Sequence, residues 1–281
     1  MQQKHNFQHV ILFHHFRRIL ERALDDKIEI APLKGAHLVT SVYLDAAERG
    51  FMGDVDFLVP INKWDRVVSM MFKLGFTLET NSSSHELGFN FDIDGGQHIL
   101  IEPHCYIFDP ERFYIDHDEL WQRAYKSEFD GVECFRLSDE DHFCHLAFHS
   151  MLHRLTSFKR TCEDLKNIIK SREPEFIKKI IVRARQWNTT RVIWFFVKQI
   201  SKDLQEYDLD ETLKALQPND ITKNMIDLVF IAQRQSFFSS LHHRAQAAVI
   251  WAIMFDSPSL LAKMVLNHPS LQKNRVLSKF L

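Results

Sequence analysis

Glycine and proline are scarce in this chain, eight of each in 281 residues. A fold made of many tight turns needs more of both, so a turn-rich all-β architecture is excluded and long helices are favoured. Cysteine is sparse too. Cys105, Cys134, Cys144 and Cys162 form no CxxC pair and no small-domain framework, which excludes a disulfide-stapled module and predicts reduced thiols. No run approaches the roughly 20 apolar residues that a membrane span requires. The opening stretch "MQQKHNFQHVILFHHFRRIL" lacks the uninterrupted apolar core of a signal peptide. The expectation is a soluble, cytoplasmic protein. Neither sign of charge dominates: 35 Lys and Arg face 37 Asp and Glu, a formal net of −2. That excludes a globally basic coat and argues against long nucleic acid as a partner. Repeats and low-complexity segments are absent.

Apolar residues are plentiful, 45% with 24 phenylalanines, ample for a packed core. Phe7, Val10, Ile11, Ile19, Leu20 and Ala23 recur at helical spacing and predict a first helix. "KIEIAPL" reads as a short strand, and Gly35 opens a helical stretch through Ala36–Ala47. "DVDFLV" has strand composition and Pro60 closes it. "INKWDRVVSMMFKLGF" reads as an amphipathic helix ending near Gly75. "FTLET", "GFNFDID" and "QHILIEPHCYI" read as strands, with Asp94-Gly95-Gly96 as a hairpin turn. A short helix at "DELWQRAY" and a strand at "VECFRL" follow. Ser138 then caps a helix, with Asp141 as a variant capping box, and only helical periodicity continues to Leu281. The fold class is α+β: a mixed-sheet domain over residues 1–137 with an N-terminal helix, then a helical domain over 138–281.

Charge splits along the chain. Residues 101–150 hold twelve acids against four basic residues, and residues 151–200 hold the reverse. The basic stretch would attract phosphate-bearing ligands or form solvated helix faces. The aromatic clusters "WFFVKQ" and "SFFSSLHH" read as core rather than base-stacking platforms.

Two acids inside an apolar run, Asp54 and Asp56, call for an explanation, because an unpaired buried carboxylate is costly. Residues i and i+2 of a strand share a face, roughly 6.5–7 Å apart at Cα. Carboxylates so placed converge on divalent cations. Mg²⁺ suits them, since it takes oxygen ligands, keeps waters and bridges to phosphates. Glu102, within the apolar run "HILIEPHCY", is the candidate third acid. The alternative is that all three are sheet-edge residues in water.

The succession "LKGAHLVTSVY", Arg49 and "DVDFLV" resembles the uncharacterised nucleotidyltransferase family of the DNA polymerase β-like superfamily. "IEPHCYIF…ELWQRA" and "LSDEDHFCHLAFHSMLHR…EDLKNII" resemble its later blocks, so the likeness spans residues 10–185 or so. It implies a nucleotidyltransferase sheet with a two-metal site. Asp54 and Asp56 match the paired metal-binding acids, and Glu102 the third, acceptor-activating carboxylate. Mg²⁺ or Mn²⁺ is the implied cofactor and an NTP the donor, with in-line displacement at the α-phosphorus releasing pyrophosphate. Lys34, Gly35, Arg49 and His104 are the candidate phosphate contacts, and His104 would otherwise orient Glu102. The acceptor is a hydroxyl of a protein side chain, a small molecule or an RNA end. Two departures stand out: Ala36 follows Gly35, so no hydroxyl is offered to the β- or γ-phosphate, and the third acid is Glu followed by Pro103. They support a second reading, a nucleotide-binding module of the same fold with weak or no turnover.

His142, His145, His149 and His153 share one helical face, and His145/His149 have the i, i+4 spacing of zinc sites. No HExxH is present. Packing against neighbouring elements, substrate contact and a His-based metallohydrolase are the three readings of that face.

Overall fold

The computed structural model describes residues 2–43, 46–79, 85–93, 97–233, 243–257, 259 and 261–262. The fold is α+β, and the chain divides into two compact units: residues 1–110 with 114–138, and residues 111–113 with 139–281.

In the first unit, helix α1 (Gln2–Asp25) precedes strand β1 (Ala31–Pro32). Two short helices follow, α2 (Lys34–Leu38) and α3 (Ala46–Arg49), then β2 (Asp54–Leu58) and α4 (Trp64–Lys73). Next come β3 (Thr77–Leu78), β4 (Phe89–Ile93) and β5 (Gln97–His104). The five strands form a mixed sheet in the order β1-β2-β5-β4-β3, parallel only between β2 and β5. Helix α5 (His117–Arg123) leads to a separate hairpin, β6 (Tyr125–Phe129) and β7 (Val132–Arg136).

The core of this unit lies under one sheet face. Leu12, Phe16, Ile19, Leu20 and Ala23 of α1 form a continuous buried stripe, with Val55, Phe57, Ile99 and Ile101 of the sheet in the same cluster. The Phe16 ring sits 5.7 Å from that of Phe57 and 4.9 Å, edge-on, from that of Phe129. Val10, expected on the buried stripe, is 66% exposed, because the true stripe runs through Leu12 and Phe16.

Helix α4 stops as its sequence predicts. Gly75 has φ +91°, and the amides of Gly75 and Phe76 donate back to the carbonyls of Phe72 and Met71. That pair of bonds is the Schellman ending, for which glycine carries no Cβ penalty.

The expected helix over Ala36–Ala47 is broken. It ends at Leu38, where the hydroxyls of Thr40 and Ser41 bond back to the His37 carbonyl at 3.0 and 2.8 Å and compete with helix continuation. The hairpin turn expected at Asp94-Gly95-Gly96 lies outside the described residues. Strand β6 was not expected. It pairs with β7 through Asp130-Gly131, both at positive φ, the requirement of a type I′ turn.

The second unit is helical throughout its described residues. It comprises α6 (Asp139–Leu152), which begins directly after Ser138, α7 (Phe158–Lys170), α8 (Phe176–Gln186) and α9 (Thr190–Ile200). Then follow α10 (Asp210–Leu216), α11 (Asp220–Gln233) and α12 (His243–Met254). Phe143, Phe148, Phe195 and Phe196 are buried among them, so the "WFFVKQ" aromatics are core. "SFFSSLHH" lies almost wholly outside the described residues. Charges are matched: buried Arg183 Nε meets buried Asp141 Oδ1 at 2.7 Å, and half-buried Arg172 grips Asp139 at 2.6 and 2.7 Å. Together with Lys166 on Glu163 and Asp203, and Lys198 on Asp227, these pairs commit much of the 151–200 basic excess within the unit. Among the described residues, no helix is long and apolar enough to cross a membrane.

Candidate active site

The sheet face opposite α1 carries the acids. Strand alternation sends Val55 and Phe57 into the core and turns Asp54 and Asp56 the other way. Parallel register then sets Asp56 beside Glu102 and Asp54 beside Leu100. Position 102 is therefore on the same face as the pair on β2. Ligand atoms of Asp56, Glu102 and His104 lie within 4.8 Å of one another. Asp54 falls outside that tight group, one alternation step back along β2.

Asp56 is 3% exposed, and two donors converge on its Oδ1. Lys34 Nζ donates at 2.6 Å and His104 Nε2 at 3.0 Å. Burial by itself would raise the Asp56 carboxyl; the adjacent Lys34 ammonium and the His104 bond outweigh it and hold the group well below the usual carboxylate range. Burial works against the Lys34 charge in turn, and Asp56 overrides it, so Lys34 is raised. Glu102 has no such donor. Burial and the neighbouring charge of Asp56 push it up to about 8. Asp54 is raised for the same two reasons. Three acids on one face thus have unlike proton affinities.

Lys34 joins β1 to α2 at φ +47°, in the left-handed region that a residue with a side chain seldom occupies. Such strain costs on the order of 1–3 kcal/mol and gathers at functional positions. The amide of Leu33 donates to the Asp56 carbonyl at 2.8 Å, tying this bend to β2. Gly35 follows. A Cβ on it would lie 2.6 Å from Arg49 Nη1 and 2.6 Å from Met52 Sδ, so the guanidinium and the sulfur fill the place of a side chain. The anticipated close approach at Gly35 is in this structure made by Arg49. Helix α2 has only five residues, and the positive charge here is that of Lys34 and Arg49 rather than of a helix dipole.

Two groups had no sequence signal. Glu86 forms an isolated bridge with His104, which brings Glu86 Oε2 to 3.3 Å from His104 Nδ1 and 3.5 Å from His85 Nε2. His85, Glu86 and His104 form a second set with ligand atoms within 4.8 Å. Neither residue belongs to a periodic run. Only long-range strand pairing unites them with β5.

The histidine row of α6 is regular but does not converge. His142 and His145 are buried, with successive ring centroids 6.3, 5.9 and 4.3 Å apart along the row to His153. Among the described residues, these histidines belong to neither group whose ligand atoms approach closely enough for a metal.

The mixed sheet thus sets Asp54, Asp56 and Glu102 on one face, and the class of the protein comes from its family. The chain belongs to the uncharacterised nucleotidyltransferase family, whose profile matches residues 2–202. It is a transferase by family, and nucleotidyl transfer is the family's activity. Among solved structures, the chain is similar to the antibiotic-resistance factor ANT(2'')-Ia at 13% identity, over 70% of this chain and 97% of that one, TM-score 0.46. It is similar to an antigenic nucleotidyltransferase-like protein from Paracoccidioides brasiliensis at 16% identity, over 73% and 91%, TM-score 0.44. It is also similar to the lincomycin-bound lincosamide antibiotic adenylyltransferase LnuA at 12% identity, over 57% and 97%, TM-score 0.34. No curated protein matches the chain.

Proposed function

We propose that the protein moves a nucleoside monophosphate from an NTP to an acceptor hydroxyl, with Mg²⁺ or Mn²⁺, and releases pyrophosphate. The observation that carries this reading is the register of β2 against β5, with Asp56 beside Glu102 and Asp54 two residues back on the same face. The donor chemistry fits a hard divalent ion: carboxylate oxygens, crowded so that burial and mutual repulsion raise Asp54 and Glu102, a repulsion a cation would relieve. Asp54, Asp56 and Glu102 would hold the metal. When bound, it would neutralise phosphate oxygens and the charge that builds on departing pyrophosphate.

The remaining roles belong to side chains. Lys34 and Arg49 supply two cations for the triphosphate. His104 keeps the Asp56 carboxylate ionised and turned. Glu102, ionised once a cation takes the place of its proton, would accept the acceptor's hydroxyl proton as the oxygen–phosphorus bond forms and the bond to pyrophosphate breaks. This chemistry is assigned to the domain of residues 1–137, with 138–281 as a helical domain. The acceptor class is a hydroxyl on a protein side chain, a small molecule or an RNA end.

Incubation with each α-labelled NTP and Mg²⁺ should give label transfer or pyrophosphate release, and Asp56→Asn should reduce either to background. Turnover that survives Asp56→Asn sinks the proposal. One observation favours the rival reading of a nucleotide-binding module without turnover: the Lys34 ammonium already sits on Asp56, where a metal would have to displace it. In that case NTP binds in a calorimeter and no pyrophosphate appears.

A further inference from the structure

His104 faces two carboxylates at once. On one side its Nε2–H donates to Asp56 Oδ1 at 3.0 Å. On the other side Nδ1 lies 3.3 Å from Glu86 Oε2, yet among the described residues this buried nitrogen of a residue only 2% exposed has no hydrogen-bond partner of good geometry. With Nε2 carrying the proton, Nδ1 presents a lone pair toward an acceptor oxygen. Two lone pairs held at that distance repel unless a cation, a proton or a metal ion, is shared between them. His85 Nε2 adds a third donor 3.5 Å from the same Glu86 oxygen. Ligands about 2.0–2.1 Å from a tetrahedral zinc ion stand about 3.3 Å apart, so the spacing of these atoms is that of a zinc coordination edge.

We propose that His85, Glu86 and His104 bind one Zn²⁺ ion, next to the acids on β2 and β5 and distinct from them. Two imidazoles and one carboxylate make a three-ligand zinc set with a fourth position for water. The donors are of mixed N and O type, which separates this set from the carboxylate oxygens that favour Mg²⁺. Asp56 then plays the outer part of a carboxylate–histidine–zinc arrangement, accepting the proton on the far ring nitrogen and fixing the tautomer. Zinc would pin the segment around Glu86 to the end of β5. Through His104 it would also fix the orientation of Asp56. The site stands whether or not the protein transfers nucleotides.

The test uses the full-length chain without an affinity tag, dialysed against metal-free buffer and analysed for metals by mass spectrometry. About one zinc per chain is expected in the parent and in Glu102→Gln. His85→Ala and Glu86→Gln should each lower zinc affinity by at least about 100-fold in competition with a chromogenic chelator, a larger loss than outer-shell changes produce. Co²⁺ substituted into the parent should show the intense visible absorption of a four-coordinate site, a measurement that does not require any variant to fold. No zinc in the parent together with no tight zinc binding by the chelated protein overturns the proposal. Zinc lost in Glu102→Gln but kept in His85→Ala overturns it too, since the ion would then belong to the acids. Iron or manganese in place of zinc overturns the choice of metal.

Discussion

Gly35 has no room for a side chain. A methyl group there meets Arg49 Nη1 and Met52 Sδ at 2.6 Å, so Gly35→Ala must displace the guanidinium or the bend. Both atoms are far ends of flexible side chains that can swing aside, so Gly35→Ala should lower stability by about 1 kcal/mol or less in urea unfolding. By moving the guanidinium it should weaken nucleotide binding in a calorimeter. His117 supports a second prediction. Burial outweighs the neighbouring Asp116 and, with His85 adding to it, keeps the imidazole down at about 4, while its Nε2 accepts the Ile107 amide at 3.3 Å. The unfolded chain protonates first, near the ordinary 6.5. The stabilisation is thus complete above pH 6.5 and is lost as pH falls from there toward 4. Urea midpoints measured from pH 7 down to 4.5 should fall, and His117→Gln should flatten the fall. At this scale the acids were legible in the sequence, because Asp54 and Asp56 interrupt an apolar run with period two and Glu102 interrupts another. His85 and Glu86 were not, since a single bridge to His104 brings them in and no local pattern announces such a bridge.

Elements were legible where burial imposes a period and obscure where it does not. β2 alternates acid with core residue and was read at once. β6 is mostly exposed, with Phe129 alone fully buried, so its sequence carries no alternation to detect. The Asp130-Gly131 pair was the available signal for its turn. Helix α9 illustrates a cap that sequence spacing cannot reveal. Its first amides are served from far along the chain: Asp256 accepts from Thr190 N at 2.7 Å, Thr190 Oγ1 at 2.8 Å and Arg191 N at 3.0 Å. Side-chain caps contribute about 0.5–2 kcal/mol. Asp256→Ala should cost that much in thermal unfolding followed by circular dichroism.

Across the whole molecule, a near-zero net charge conceals strong local pairing. The acidic 101–150 stretch and the basic 151–200 stretch meet in the helical unit, where Asp139 and Asp141 take Arg172 and Arg183. Composition displayed the imbalance but not its resolution, which depends on tertiary packing. Arg183 and Asp141 are both buried, and removal of Arg183 takes its guanidinium away from a fully buried carboxylate. Arg183→Met should destabilise the protein by about 3–5 kcal/mol, read as a lower denaturant midpoint. The division into a mixed sheet and a helical part was visible as a change of hydrophobic period after residue 137. The core role of the α9 aromatics was visible too, since residues 192–197 run apolar between Arg191 and Lys198; the partners of those two cations, the Phe255 carbonyl and Asp227, were not.

Strands β2 and β5 meet opposing demands: one side packs into the core, the other gathers carboxylates. Folding gains nothing from crowding Asp54 and Glu102 together, and an aliphatic residue in either place would relieve that repulsion. Laboratory evolution that rewards heat tolerance alone would therefore be drawn to these same positions. Its winners would be sturdier and chemically mute.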